Sequence, residues 1–295
     1  MSRRALVVGA SGQVGSQLVL ALGESSLPAG RAPQSENWLH VDLAEIAHNP
    51  TLAHEIVNDR DFSAIYCVGG ATDVERCESE RDWAMSVNCH GPVALAKAAL
   101  HIPFIYFSTE YVFDGVDGPY SEESTPFPIS VYGLSKFLAE REILGLHPRA
   151  LIVRTTVVYG SDPREKNFLY SLNRQLSSGK TMRVPIDQIS TPTYNLDLAS
   201  ATIDLVRTGA TGIFHVCGPE MLSRYDFAVK AANIMGLDAS LIAGVRTAEL
   251  NQKAPRPLRA GLHIEKLKTS LPSIVMRCTR DAVTEWKNAL QGAHA

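Results

Sequence analysis

The chain has 295 residues, 45% of them apolar, and a formal net charge of −3, which is enough for a large core and exceeds one modal domain. A charge balance this close to neutral, with no run of lysine and arginine among aromatics, excludes a polyanion-binding field and therefore nucleic acid as a partner. No apolar stretch is long enough to span a bilayer and no signal-peptide core precedes the first strand, so the expectation is a cytoplasmic protein with no membrane partner.

In chain order, Leu6 to Val8 reads as a buried strand, followed by the glycine turn Gly9-Ala10-Ser11-Gly12-Gln13-Val14-Gly15 and a helix from Gln13 to Leu22. Such a turn lets a diphosphate approach the backbone and rest on the helix N-terminus. A plain tight strand-to-helix turn has the same look, but the position directly after an apolar strand favours the cofactor reading. Glu24 to Pro33 is the weakest stretch for a strand, with Pro28, Pro33 and few β-branched residues. No acidic residue sits at its end, where the ribose of NAD would want one. Arg31 is available to pair with the 2′-phosphate of NADP, or is a solvated loop arginine.

Trp38 to Asp42 is predicted to be extended, Leu52 to Asn58 helical, Ala64 to Val68 a strand and Arg81 to Leu100 a long helix. Phe104 to Ser108 and Leu151 to Thr155 are strands on either side of a helix from Tyr132 to Leu144. Asn167 to Ser178 and Tyr225 to Met235 are helical, while Met182 to Pro185 and Ile213 to Val216 are extended. The alternation predicts an α/β chain with a Rossmann-type doubly wound parallel sheet and a smaller C-terminal substrate lobe. Residues 1–160 would form the dinucleotide-binding domain, with the chain returning to it near 181–217, and 161–295 mainly the lobe.

Tyr132 and Lys136 are four residues apart, about one helical turn, so they share a face and the lysine charge is expected to lower the phenol's pKa. A phenol of that kind can give a proton to a carbonyl oxygen as hydride arrives, with the hydroxyl of Thr109 holding the same oxygen. The pair also occurs where a tyrosine packs and a lysine faces solvent, and it gains its meaning from the glycine turn. Pro126-Phe127-Pro128 gives this helix a rigid approach. The five cysteines, Cys67, Cys77, Cys89, Cys217 and Cys278, are scattered and read as reduced thiols. They and the nine histidines show no ligand spacing, so no metal is expected.

The glycine spacing, the Tyr132/Lys136 pair and Thr109 together resemble the extended short-chain dehydrogenase/reductase family, and within it the dTDP-4-dehydrorhamnose reductases. The likeness runs through Gly12-Gln13-Val14-Gly15, the acidic segment from Asp73 to Glu80, Phe107-Ser108-Thr109-Glu110-Tyr111, Val131 to Lys136, Asp187-Gln188, Thr191-Pro192-Thr193 and Ala254-Pro255-Arg256-Pro257. The resemblance implies NADP(H), or NAD(H), as cofactor, held by Gly9, Ser11, Gly12, Gln13, Val14, Arg31, Asp42, Leu43, Gly69, Tyr132 and Lys136. It implies a catalytic set of Thr109, Tyr132 and Lys136. Substrate contacts would come from Thr72, Val74, Glu110, Val157 and Arg256, and the partner would be a nucleotide-linked 4-keto-deoxysugar, bound by a monomer or homodimer. Asn88 resembles the asparagine that supports the lysine through water, or is an ordinary helix polar residue.

The departures fall on the substrate side. Val157 stands where the family has a pocket tryptophan, Ala71 replaces a histidine or tyrosine, Leu258-Arg259-Ala260 replaces a polar segment, and Glu110 replaces aspartate. Two alternatives follow: a nucleotide-sugar epimerase or dehydratase with bound NAD, or a non-catalytic NADP-binding regulatory subunit like the β subunit of methionine adenosyltransferase. Tyr111, where a dehydratase usually has a glutamate, speaks against the first, and an intact Thr109, Tyr132 and Lys136 against the second.

Overall fold

A computed structural model describes residues 3–58 and 60–292. Its centre is one all-parallel sheet of seven strands: β1 (Arg4–Val8), β2 (Ser26–Gly30), β3 (Leu39–His40), β4 (Phe62–Cys67), β5 (Phe104–Thr109), β6 (Ala150–Thr155) and β7 (Gly212–His215). Across the sheet they lie in the order β7-β6-β5-β4-β1-β2-β3. The chain builds outward from β1 on one side, then crosses back to build outward from β4 on the other. Such a reversal opens a crevice at the carboxyl ends of β1 and β4, which is where open α/β sheets bind ligands.

Both faces of the sheet are covered, so its inner strands are continuous apolar runs such as Phe104-Ile105-Tyr106-Phe107. One face packs Leu18 and Leu198 of the helices Gly15–Leu22 and Asn195–Arg207. The other packs Ile46, Leu95 and Ile143 of the helices Leu43–His48, Gly91–Ala98 and Val131–Leu146. A third core, around Tyr159, Leu172, Phe227 and the fully buried Trp286, belongs to the C-terminal lobe. The chain enters this lobe after Tyr159, returns through Asn195–Arg207 and β7, and leaves again for the helix Arg224–Met235.

The stretch that looked weakest does form β2. Gly9 and Ala10 donate their N–H groups to the Ala29 carbonyl, while the Gly30 carbonyl accepts from Val41, so alternate residues face opposite neighbours. Pro28 shares the outward side with Gly30, and β3 pairs only with Ala29 and Gly30. The N–H that proline lacks is therefore not needed, which is how an edge position tolerates it.

Other differences concern helices. The first begins at Gly15, not Gln13, because residues 10–14 are spent on the turn. The long helix over 81–98 contains a π-helical turn at Ser86–His90. The helices Leu43–His48, Val74–Ser79, Asn195–Arg207 and Thr279–Gly292 were not predicted, although the last is strongly amphipathic. Among the described residues, no helix is long and apolar enough to cross a membrane, and no three His, Cys, Asp or Glu side chains converge as a metal site. The cysteines are free, four of them buried.

Candidate active site

The glycine turn is shaped by two different requirements. A Cβ on Gly9, at φ +92°, would lie 2.5 Å from the Gly69 nitrogen, and one on Gly15 would lie 2.2 Å from the Gly9 oxygen. Those two glycines are demanded by the fold itself. Gly12 is not: a Cβ there would meet the Gly9 oxygen at 3.3 Å and otherwise only the Arg164 guanidinium. That guanidinium covers the face of Gly12 beside the N-terminus of Gly15–Leu22, and backbone N–H groups next to a positive charge fit a dinucleotide diphosphate. Ser11 and Gln13 are half-buried and Val14 is buried. Gln13 is tied to the C-terminal half of the chain, its backbone oxygen accepting from Asn195 Nδ2 at 2.8 Å and its side-chain oxygen from Asn167 Nδ2 at 3.1 Å.

On the β2 side of the crevice, Asp42 spends its carboxylate capping the helix Leu43–His48, accepting from Ala44 N at 2.8 Å. Leu43 is buried, with its backbone so close to the long helix that a Cβ on Gly91 would come within 2.1 Å of the Leu43 oxygen. Arg31 is exposed immediately after the carboxyl end of β2.

At the other end of the crevice, Ser130 caps the helix Val131–Leu146 by accepting from Gly133 N. Its first turns present Tyr132 and Lys136 toward Thr109, the last residue of β5. Lys136 is buried, its Nζ 4.2 Å above the Tyr106 ring. Burial pushes its pKa down to about 8, against the support of nearby groups that include Cys67 and Glu140. Tyr132 moves the other way from the expectation: burial first, and the Glu110 carboxylate second, hold its phenol above the ordinary value, while the Thr109 hydroxyl acts in the lowering direction. Desolvation outweighs the lysine, so the sequence-based expectation of a lowered pKa is corrected. Such a phenol stays protonated at neutral pH.

Asn88 lies in the π-helical turn, completely buried. Its Oδ1 accepts from Ala71 N at 2.8 Å, and its Nδ2 donates to Ala71 O at 3.1 Å and to Ser135 Oγ at 3.0 Å. Ser135 in turn donates to the Tyr132 carbonyl at 2.7 Å. Asn88 thus joins the loop after β4 to the tyrosine-lysine helix directly.

Next to Thr109 and Tyr132 opens a narrow pocket lined in part by Glu110, Tyr111, Val157, Gln188, Arg224 and Pro257. Thr109 Oγ1 donates to Glu110 Oε2 at 3.1 Å. Glu110 is 4% exposed, and burial pushes its carboxyl up to about 7 although the Thr109 bond and the Arg224 charge oppose the shift. The Tyr111 ring meets the Tyr132 ring edge-on at 5.4 Å. Arg256 is held by Glu75 at 2.7 Å and donates to the Tyr111 hydroxyl at 3.3 Å, leaving its buried Nε without a partner. Val157 adopts φ +35°, a strained backbone for a β-branched residue, and strain of this kind gathers at functional sites.

The predicted residues thus fall into three groups. Thr109, Tyr132, Lys136, Glu110 and Val157 are gathered at one end of the crevice. Gly9, Gly12, Gln13, Gly69 and their neighbours form its floor. Thr72 is exposed and Val74 half-buried at the rim, where Arg256 reaches Glu75. Sequence reasoning missed Arg224, Asn167 and Asn195, which arrive from distant elements with no spacing relation to Tyr132. Asn167 caps the helix Phe168–Ser177 and Ser223 the helix that begins at Arg224, but a cap marks only a helix start.

The model of the family described as RmlD substrate binding domain matches residues 3–291. A probable low-salt glycan biosynthesis reductase of Haloferax volcanii is 33% identical over 275 residues, covering 90% of this chain and 92% of that protein. A dTDP-4-dehydrorhamnose reductase of Aggregatibacter actinomycetemcomitans is 31% identical, covering 99% and 98% respectively. Among solved structures, a dTDP-4-dehydrorhamnose reductase of Bacillus anthracis in complex with NADP superposes with a TM-score of 0.87 at 28% identity, covering 98% of this chain and 100% of that one.

Proposed function

We propose, for a chain that belongs to the RmlD substrate-binding-domain family of extended short-chain dehydrogenase/reductases and is an NAD(P)H-dependent oxidoreductase, that its substrate is the ketone of a nucleotide-linked 4-keto-deoxysugar. The observation that carries this reading is the meeting of Thr109, Tyr132 and Lys136 at the carboxyl end of β5, beside a crevice floored by the glycine turn. In this reading residues 1–160 chiefly hold the cofactor and 161–295 chiefly the sugar nucleotide.

The chemistry a bound NAD(P)H supplies is hydride. Gly9, Ser11, Gly12, Gln13 and Val14 would carry its diphosphate, Asp42, Leu43 and Gly69 its adenosine side, and Arg31 its 2′-phosphate. Tyr132 donates the proton to the carbonyl oxygen, a task suited to a phenol that burial keeps protonated. Thr109 Oγ1, whose one O–H is donated to Glu110 Oε2 in the free protein, would turn it to the same oxygen when substrate binds. Lys136, with a pKa of about 8, is largely charged at neutral pH and stabilises the tyrosinate left behind. Glu110, Val157 and Arg256, with Thr72 and Val74 at the rim, would orient the sugar nucleotide. Val157, where the family has a tryptophan, lines the pocket and would leave the sugar ring more room, whereas Ala71 is buried with Cys77 and Val131 outside that lining.

The test is to follow NADPH consumption with dTDP-4-dehydrorhamnose and then with other 4-keto nucleotide sugars. Turnover of any of them supports the reading. Tight NADPH binding without turnover of the whole set would move the chain to the regulatory class.

A further inference from the structure

The segment after Gly160 crosses from the lobe to lie over the glycine turn. It is pinned at both ends: Asn195 Nδ2 donates to both Gln13 O at 2.8 Å and Ser161 O at 2.6 Å, and Asn167 Nδ2 to both Gln13 Oε1 at 3.1 Å and Gly160 O at 2.8 Å. Gly160, at φ +118°, is required there, since a Cβ would come within 2.1 Å of Asn195 Oδ1. Between the pins, buried Asp162 organises a tight turn, its carboxylate accepting from the Arg164 N at 3.0 Å and the Lys166 N at 3.1 Å. The turn is tight enough to hold Glu165 at φ +51°.

The outcome is the placement of one cation. A Cβ built on Gly12 would lie 3.5 Å from Arg164 Nη2 and 3.9 Å from its Cζ, so the guanidinium faces the bare surface of Gly12. Among the described residues its one ion-pair partner is Asp162, at 3.4 Å through Nε, so the terminal nitrogens take part in no ion pair on a side chain 48% exposed. The turn itself, from Gly9 to Gly15, has no charged side chain. Its backbone N–H groups and the helix N-terminus supply only partial charges for an anion. A planar guanidinium with free terminal nitrogens matches phosphate oxygens in a way no other side chain does.

We propose that Arg164 is a diphosphate-binding residue that clamps the cofactor from the lobe side, so that the dinucleotide is held between the glycine turn and the strap over 161–167. This inference rests on the proposed use of the glycine turn as the cofactor site. It assigns Arg164 and Arg31 to opposite ends of the cofactor: Arg164 to the diphosphate common to NADPH and NADH, Arg31 to the 2′-phosphate of NADPH alone.

The experiment is direct titration of the folded protein with NADPH, NADH, ADP-ribose and 2′,5′-ADP, with no turnover required. Arg164→Ala keeps the backbone bond to Asp162 and so the shape of the strap. It should weaken NADPH, NADH and ADP-ribose alike, by roughly tenfold for one partly screened charge-assisted contact, and weaken 2′,5′-ADP, which keeps only one of the two phosphates, by less. The salt dependence of NADPH binding should become shallower in the variant. Arg164→Lys should recover part of the loss. Equal affinities for wild type and Arg164→Ala, a loss confined to NADPH, or a loss that Arg164→Lys does not relieve would each overturn the proposal while leaving the reductase reading standing. A wild-type protein that binds none of the dinucleotides would overturn that reading and the clamp with it.

Discussion

Asn88 donates to Ser135 at 3.0 Å while bonding both backbone groups of Ala71, so one buried amide fixes the distance between the loop after β4 and the helix that carries Tyr132 and Lys136. Asn88→Ala would leave the buried Ala71 N–H without this partner and the Ala71 carbonyl with the weak Cys77 thiol, while Ser135 keeps its bond to the Tyr132 carbonyl. At ~1–3 kcal/mol for each buried group left unpaired, the loss should be about 3 kcal/mol, read by urea unfolding. Activity should fall further than stability alone accounts for, because the Tyr132 position loses its brace. A variant within experimental error of wild type in both would show that Asn88 is an ordinary helix residue.

The glycines of the turn should separate by role. Gly15→Ala puts a Cβ 2.2 Å from the Gly9 oxygen, and should cost roughly 3 kcal/mol of stability through overpacking. Gly12→Ala meets protein only at 3.3 Å or beyond, and should stay within about 1 kcal/mol of wild type. Its NADPH affinity should nonetheless drop by roughly tenfold, since the new methyl stands where the diphosphate approaches. Thermal melts and NADPH titration of the two variants make the comparison. An unchanged affinity for Gly12→Ala would remove the turn as the phosphate site.

The contrast between those glycines also shows what a sequence can carry. The spacing of Gly9, Gly12 and Gly15 announces a turn after a strand, and the turn is there; which glycine serves the fold and which faces the crevice depends on Gly69 and Arg164, far away in the chain. Parallel strands such as Phe104–Thr109 were legible because burial on both faces leaves an unbroken apolar run. β2 was not, because Pro28 and Gly30 depress its propensity and only the sheet-edge geometry excuses them. Tyr132 and Lys136 were legible as a helical pair, but the direction of the tyrosine's pKa was not. It depends on how much water the fold removes, and on Glu110 being buried next to it.

Arg31, exposed just past β2, should discriminate between cofactors. Arg31→Ala is expected to weaken NADPH binding by roughly tenfold and leave NADH almost untouched, because only the former carries the 2′-phosphate. Titration of both cofactors checks this. Equal losses, or none, would assign the side chain to the solvated loop.

Glu110 gives a pH test with a definite sign. Its carboxyl is raised from 4.5 to about 7 by burial, so between those values the folded state holds a proton that the unfolded state has released. Stability from this group is fully present below about pH 4.5 and is lost as pH rises through about 7, by roughly 3 kcal/mol at about 1.36 kcal/mol per pKa unit. Glu110→Gln cannot ionise and should lose nothing over that range. The stability of the variant relative to wild type should therefore climb between pH 4.5 and pH 8, as read from denaturant midpoints at each pH. A constant difference would mean that Arg224 and the Thr109 hydroxyl keep the carboxylate ionised throughout.

The decisive experiment on the chemistry is Tyr132→Phe. The substitution keeps the ring, and with it the edge-on contact to Tyr111 at 5.4 Å, while removing only the proton donor. NADPH affinity and melting temperature should hold, and turnover of a 4-keto sugar nucleotide should fall by about 10²-fold or more, the usual worth of a positioned general acid. Lys136→Met should differ in kind. It deletes a buried ammonium that costs desolvation, seen in its pKa of about 8, so stability should hold or rise while both turnover and cofactor affinity fall. The two signatures separate a proton donor from a group that supports the tyrosinate and holds the cofactor. If Tyr132→Phe turned over at the wild-type rate, the proton would have to come from elsewhere in the pocket, and Glu110, bonded to Thr109 at 3.1 Å, would be the group to test next.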